Sequence, residues 1–272
     1  MDRLASSRTL AVYGHLLRAQ LRSQAQYRLS FAVDLVGSVA FGLLDVVPVV
    51  GVIRVSRTLA GFSYPAVFLM AALGSTAFAL ADLAVGNVER LRVYVRTGLF
   101  DAVLLRPLGA LSQLAAMDLA PRRIGRVVVG GALVVVAAQR AGLALTPARL
   151  ALLVVAPIAG AVIFSAVFVA TAIATFWWIE SGELGNALTY GGHDFTAYPI
   201  PIYGALLRRL FAYSLGFAFV AYYPALALLG RPDPLGAPAL LGYASPVIAA
   251  ITAAAAAMLW RAGIRHYRST GS

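Results

Sequence analysis

The chain has 272 residues, 61% hydrophobic and 12% charged; a soluble domain carries about 25% charged residues, and half that charge cannot coat a globule of this size, which excludes an ordinary soluble enzyme. All 22 basic residues are arginine, against 11 acidic residues, and there is no cysteine, so lysine chemistry, disulfides and thiolate metal sites are excluded together. A net charge of +11 would suggest nucleic acid in a soluble protein; in a chain this apolar it marks one side of a bilayer, and no nucleic-acid partner is expected.

Residues 1–30 are basic. From Thr9 to Arg28, Leu10, Tyr13, Leu17 and Leu21 recur at helical spacing beside a polar row of Arg18, Arg22 and Gln26. This predicts an amphipathic helix lying in the inner headgroup layer, the alternative being a merely solvated basic leader. Residues 31–53 form the first apolar stretch long enough to cross a bilayer core of about 30 Å. It is too long for the core of a signal peptide and carries Asp34 and Asp45, so it is expected to stay as a helix. The second span is 65–85.

A cytoplasmic segment, 87–123, follows. Within GLFDAVLLRPLGALSQL, Gly98 and Pro107 punctuate a short helix whose Leu99, Phe100, Val103 and Leu104 make an apolar face beside Asp101 and Arg106. Such a helix suits insertion into a cleft of a soluble partner, or simple adsorption to lipid; the residues alone do not separate the two. The third span is the weakest. Its apolar run, 124–138, extended to 124–143, reaches spanning length only by taking in Arg126 or Gln139 and Arg140, whose long side chains are expected to snorkel. The fourth span is 150–179. Residues 180–209 then read as a structured cytoplasmic elbow with Pro199 and Pro201. The fifth span is 210–229, with Tyr222-Tyr223-Pro224 as its expected break, and the sixth is 238–260, with Ala249, Ala253 and Ala257 as a close-packing stripe. Residues 261–272 form a cytoplasmic tail.

Distributed over this scheme, 17 arginines fall on one face and 5 on the other. By the positive-inside rule both ends lie in the cytoplasm, which requires an even number of spans. The expected fold is therefore an all-α polytopic membrane protein with six transmembrane helices and an N-terminal interfacial helix.

No catalytic or metal constellation emerges. His15, His193 and His266 lack ligand spacing, His193-Asp194 are adjacent residues that usually point apart, and no nucleophile, zinc or phosphate-loop motif is present. The intramembrane acids are the remaining polar features. Asp34, Asp82 and Arg126 are expected at similar depth, where a salt bridge can form, and Asp45 deeper; these acids read either as packing hydrogen bonds or as the polar lining of a pathway.

The stretches QYRLSF at 26–31, GLFDAVLLRPLGALSQL at 98–114, YPIPIYGALLRR from 198 and AYYPALALLG ending at 230 resemble the ABC-2 type permeases, and within them a bacterial six-helix branch of about 260 residues. The resemblance implies a non-catalytic permease subunit of an ATP-driven exporter in the bacterial plasma membrane. It implies a second permease subunit, identical or related, and separate ATPase subunits that hold the ATP and magnesium, with membrane lipids around the spans. It assigns the coupling helix to the segment containing Arg96, Gly98, Phe100, Asp101, Leu104, Arg106 and Pro107. ABC-2 exporters commonly carry re-entrant hairpins before the last span, whereas 231–237 is only seven residues, so any re-entrant part has to come from the stretches assigned to spans. The competing class is a stand-alone secondary transporter or channel working through Asp45 and Asp82.

Overall fold

At one end of the molecule a two-residue turn, Ala60-Gly61, closes a small hairpin of β1 (Thr58–Leu59) and β2 (Phe62–Ser63), pairing Leu59 with Phe62. Both turn residues have positive φ, 49° and 80°, the geometry that matches strand twist in tight hairpins. The chain passes directly into α1 (Tyr64–Val85), with Pro65 in the first turn, where its missing N–H costs nothing. At about 1.5 Å per residue, α1 is about 33 Å long, enough for one bilayer crossing. It is apolar on all sides and buried over most of its length, which is the signature of a central helix.

These statements come from a computed structural model, which describes residues 58–117, 121–178 and 181–267 (backbone only at 121–122) and isolated helical positions at 36, 37, 40 and 51. The expected N-terminal interfacial helix, the span at 31–53 with Asp34 and Asp45, and the tail from residue 268 lie outside the described residues.

After α1 the helix tightens through a 3-10 turn, Gly86–Arg90, into α2 (Leu91–Arg96). Three further segments, α3 (Leu99–Leu104), α4 (Ala110–Ala116) and α5 (Pro121–Arg140), lead back along α1. A six-residue turn, 141–146, then enters α6 (Pro147–Ile173), where the Thr146 hydroxyl caps the Arg149 N–H at 3.3 Å and Pro147 occupies the first turn. Gly130 of α5 and Gly160 of α6 both face α1 at Thr76–Ala77. A β-carbon on either glycine would sit within 3 Å of an α1 side-chain atom, so the three helices cross closely there because those positions carry no side chain.

The expected cytoplasmic elbow is largely a packed element. Its helix α7 (Gly182–Thr196) lies against α1 and α6. Thr196 meets Gly74, the His193 ring lies 4.5 Å from that of Phe78, and Arg92 lies over Gly182 at the other end. The helix thus climbs from the level of α2 to the middle of α1, and 180–209 is not simply a surface loop. Two of its four glycines lie on the packed face, Gly185 against Thr171 and Gly192 against Phe217.

The stretch 210–229 is not one straight helix. A short helix α8 (Ala205–Leu207) continues as a π-helical turn, Arg208–Ser214. The chain then bends by 68° before Phe217, and α9 (Tyr222–Leu229) finishes the excursion. The bend falls at Gly216, whose φ of +78° no other residue type adopts readily; Tyr222–Pro224 mark only the start of α9. Arg231 then bonds the Gly61 carbonyl at 3.1 Å and lies over Phe62, and Tyr222 donates to Asp233 at 2.6 Å, fastening this end to the hairpin.

The last helix is α10 (Ser245–His266), which starts seven residues and ends six residues later than the expected 238–260, whose first part is a 3-10 turn at Ala239–Tyr243. It packs on α6 through Ala249, Thr252, Ala256, Trp260 and Gly263. Ala257 is exposed. The small-residue stripe assigned to Ala249, Ala253 and Ala257 was therefore out of phase: contacts every 3.6 residues drift off a strict four-residue step. Much of α10's apolar surface, including Val247, Ile251 and Met258, remains exposed.

Candidate functional site

The α1-to-α5 connection forms the tip of the molecule at the end away from the β-hairpin. Gly98 adopts φ +73°, which reverses the chain between α2 and α3. The tip is tied down by side-chain amides reaching backbone carbonyls. Asn87 donates to Leu114 O at 2.7 Å, and Gln113 donates to Val103 O at 3.0 Å and Leu108 O at 2.9 Å.

Two residues expected to meet a partner turn inward. Phe100 is fully buried, with ring contacts to Phe176 at 5.4 Å and to Tyr267 at 5.0 Å. Asp101 is half-buried and accepts a hydrogen bond from the Tyr267 hydroxyl at 2.9 Å. Burial, then the Asp101 bond and its charge, push the Tyr267 phenol up to about 12, so it remains a donor at any working pH. Helical spacing put Leu99, Phe100, Val103 and Leu104 on one face; the fold divides them, burying Phe100 and Val103 and leaving Leu99 and Leu104 in the open. Arg96, Arg106 and Pro107 are exposed beside them. The most exposed apolar residue of the tip, Leu105 at 86%, was missed because it lies just past the end of α3, where the helical period no longer reports direction.

Among the intramembrane polar residues, the structure joins Asp82 to Arg126, Oδ2 to Nη1 at 3.3 Å, as the depth argument expects. It adds a second cation, Arg123, whose Nε lies 3.2 Å from Asp82 Oδ1. Counting Arg123 with the surface loop had concealed it. Arg123 and Arg126 therefore meet a carboxylate of α1, and Gly86, with no β-carbon, leaves room for the pair.

His193 has its Nε2 3.3 Å from the Ser75 hydroxyl and its Nδ1 3.8 Å from Asp194. This is no hydrolytic triad: the Asp194 side chain is 83% exposed and too distant to orient the ring. No cluster of three or more metal-ligating side chains occurs among the described residues.

Three described helices are long and apolar enough to cross a membrane, and a fourth crossing arises if the bent pair at 205–229 counts as one span. A family model described as "ABC-2 family transporter protein" matches residues 44–271. Neither the curated proteins nor the solved structures contain a match to the chain.

Proposed function

Because the chain belongs to the ABC-2 family of transporter proteins and is a multi-pass membrane protein, we propose that it is the permease half of an ATP-driven exporter. In this reading two such subunits, identical or related, line the pathway and a separate ATPase chain supplies the energy. The observation that carries it is the tip. Leu99, Leu104 and Leu105 are 54%, 41% and 86% exposed on a rigidly braced turn, flanked by Arg96 and Arg106. Exposed apolar residues on an ordered, charge-rimmed element fit a socket in a soluble partner. Simple adsorption to lipid would not require the fixed hydrogen bonds of Asn87 and Gln113.

Six spans with both ends in the cytoplasm of a bacterial cell remain the favoured topology. In that scheme 17 arginines face the cytoplasm and 5 the outside. The stand-alone carrier reading loses support at Asp82, because each of its carboxylate oxygens is already engaged by an arginine, at 3.2 and 3.3 Å. The test is gentle purification of the full chain from its own membranes. An ATPase chain should accompany it, and the chain stripped of that partner should hydrolyse no ATP. Recovery of an active transporter with no ATPase present would overturn the reading.

A further inference from the structure

One helix of the bundle differs from its neighbours in what it leaves open. At mid-length α5, α6 and α10 expose only apolar side chains, such as Val128 and Val135, Val154 and Ile158, and Val247 and Ile251. On α7, by contrast, Glu183, Asn186, Tyr190 and Asp194 are exposed, and their steps of three and four residues put them on one face. Tyr198, two residues past the end of the helix, lies within electrostatic reach of Asp194 and extends the row. The row climbs to the middle of α1: His193, beside Asp194, has its Nε2 3.3 Å from the hydroxyl of Ser75, which is about 15 Å from either end of that helix.

Hydrocarbon does not tolerate an open carboxylate at that depth, so this face of α7 borders something polar, not lipid. The residues around Asp194 select what that is. Its side chain is in the open, with His193 Nδ1 at 3.8 Å, and among the described residues no arginine pairs with it. Arg123 and Arg126, which act on Glu89 and Tyr190 nearer the tip, are bound to Asp82. Tyr190 lies one turn from Asp194 on the side of the tip, 44% exposed, its ring edge-on to Phe78 at 5.5 Å, and Tyr198 lies on the other side. A carboxylate between two phenol rings, with no arginine of its own, is complementary to an ammonium group, which the acid attracts and the ring faces hold. An anion would be repelled, and a neutral molecule would leave the carboxylate unpaired.

We propose that Tyr190, Asp194 and Tyr198 form a site on the transport pathway for the ammonium group of a cationic substrate. That the site lies on a pathway rests on the permease reading; its preference for a cation rests on α7 alone.

The chain has no cysteine, so a single thiol can be placed at will. A β-carbon at Gly191, one turn from Asp194, meets nothing within 4 Å. The full chain carrying Gly191→Cys, reconstituted in liposomes, is therefore reacted with trimethylammonium-ethyl or sulfonatoethyl methanethiosulfonate. The cationic reagent should react at least about tenfold faster than the anionic one, each normalised to a free thiol, and Asp194→Asn should remove that preference. Tetraethylammonium should slow the cationic reaction at least about twofold, and Tyr198→Leu should relieve that protection, which carries the test if Asp194→Asn fails to fold. Ile158→Cys and Ile251→Cys, on apolar faces, should stay unlabelled. An unreactive Gly191→Cys, as when a second copy of the chain covers this face, would overturn the proposal. So would equal reaction with the two reagents, a preference that survives Asp194→Asn, or labelling of the apolar-face thiols at the same rate. A cation preference in a chain that recovers no ATPase would support the site and count against the permease reading; no preference in a chain that recovers its ATPase would do the reverse.

Discussion

The tip makes its sharpest prediction through leucines that the fold does not need. Leu99, Leu104 and Leu105 together expose the equivalent of about two whole leucine side chains. Covering a leucine contributes about 1.5–3 kcal/mol, so a partner that buries all three gains roughly 3–5 kcal/mol, two to three orders of magnitude in affinity. Replacing all three with serine removes that gain. Because their side chains already face outward, the cost to the fold is within about 0.5 kcal/mol per site. The assay pairs the affinity of the detergent-solubilised chain for its co-purifying ATPase with a thermal unfolding curve. Binding should fall at least a hundredfold while the midpoint of unfolding hardly moves. Phe100→Ala is the contrasting control: it empties a buried ring site and should cost about 3–5 kcal/mol of stability. Unchanged binding by the triple serine variant, or a fall in its midpoint like that of Phe100→Ala, would refute the assignment of these leucines to a partner surface.

Asp82→Asn leaves Arg123 and Arg126 facing a neutral group; the loss should lie near the low end of about 3–5 kcal/mol, because Arg126 reaches solvent. It should appear as faster proteolysis around α5 in reconstituted protein. Tyr267→Phe removes one hydrogen bond to a half-buried carboxylate and should cost about 1.5 kcal/mol, read as a lower thermal midpoint with the helical content unchanged. The phenol's value is raised on folding, so its contribution is complete below pH 10 and is lost as pH rises through about 12. Between pH 6 and 9 the stability difference between wild type and Tyr267→Phe should therefore stay flat, as followed by unfolding curves across that range.

Local signals in the sequence carried much of this structure. Pro65 and the apolar run to Val85 delimit α1 almost to the residue, Gly98 and Pro107 bracket α3, and the matched depths of Asp82 and Arg126 survive as an ion pair. What failed depends on neighbours remote in sequence. Phe100 lies on the apolar face of its own helix, but only the arrival of Phe176 and Tyr267 turns that face into an interior. Arg123 read as a surface residue because a run of arginines after a proline looks like a loop; α5 begins early enough to bring it to Asp82. In 205–229 the average hydropathy is that of a span, and no average reveals that Gly216 bends it by 68°.

Under the proposed coupling, the same contacts would carry a push at the tip to the bundle. α1, the 3-10 turn and α2 form an almost unbroken helical path from Tyr64 to Arg96, about 50 Å long. The tip cannot slide independently of that path, because Asn87 and Gln113 tie its two strands of chain together. Nor can it swing freely sideways, because Phe100 and Asp101 hold it to the end of α10 through Tyr267. The section least able to resist bending is Gly86–Arg90, whose 3-10 hydrogen bonds are weaker than those of the α-helices on either side. Asp82, with its two arginines from α5, sits immediately before that section. If the tip is the proposed coupling element, its displacement would be divided between a rotation of α10 and a flexure at Gly86–Arg90 that loads the Asp82 cluster. Close packing of Gly130 and Gly160 against α1 leaves the middle of the bundle little room to absorb it.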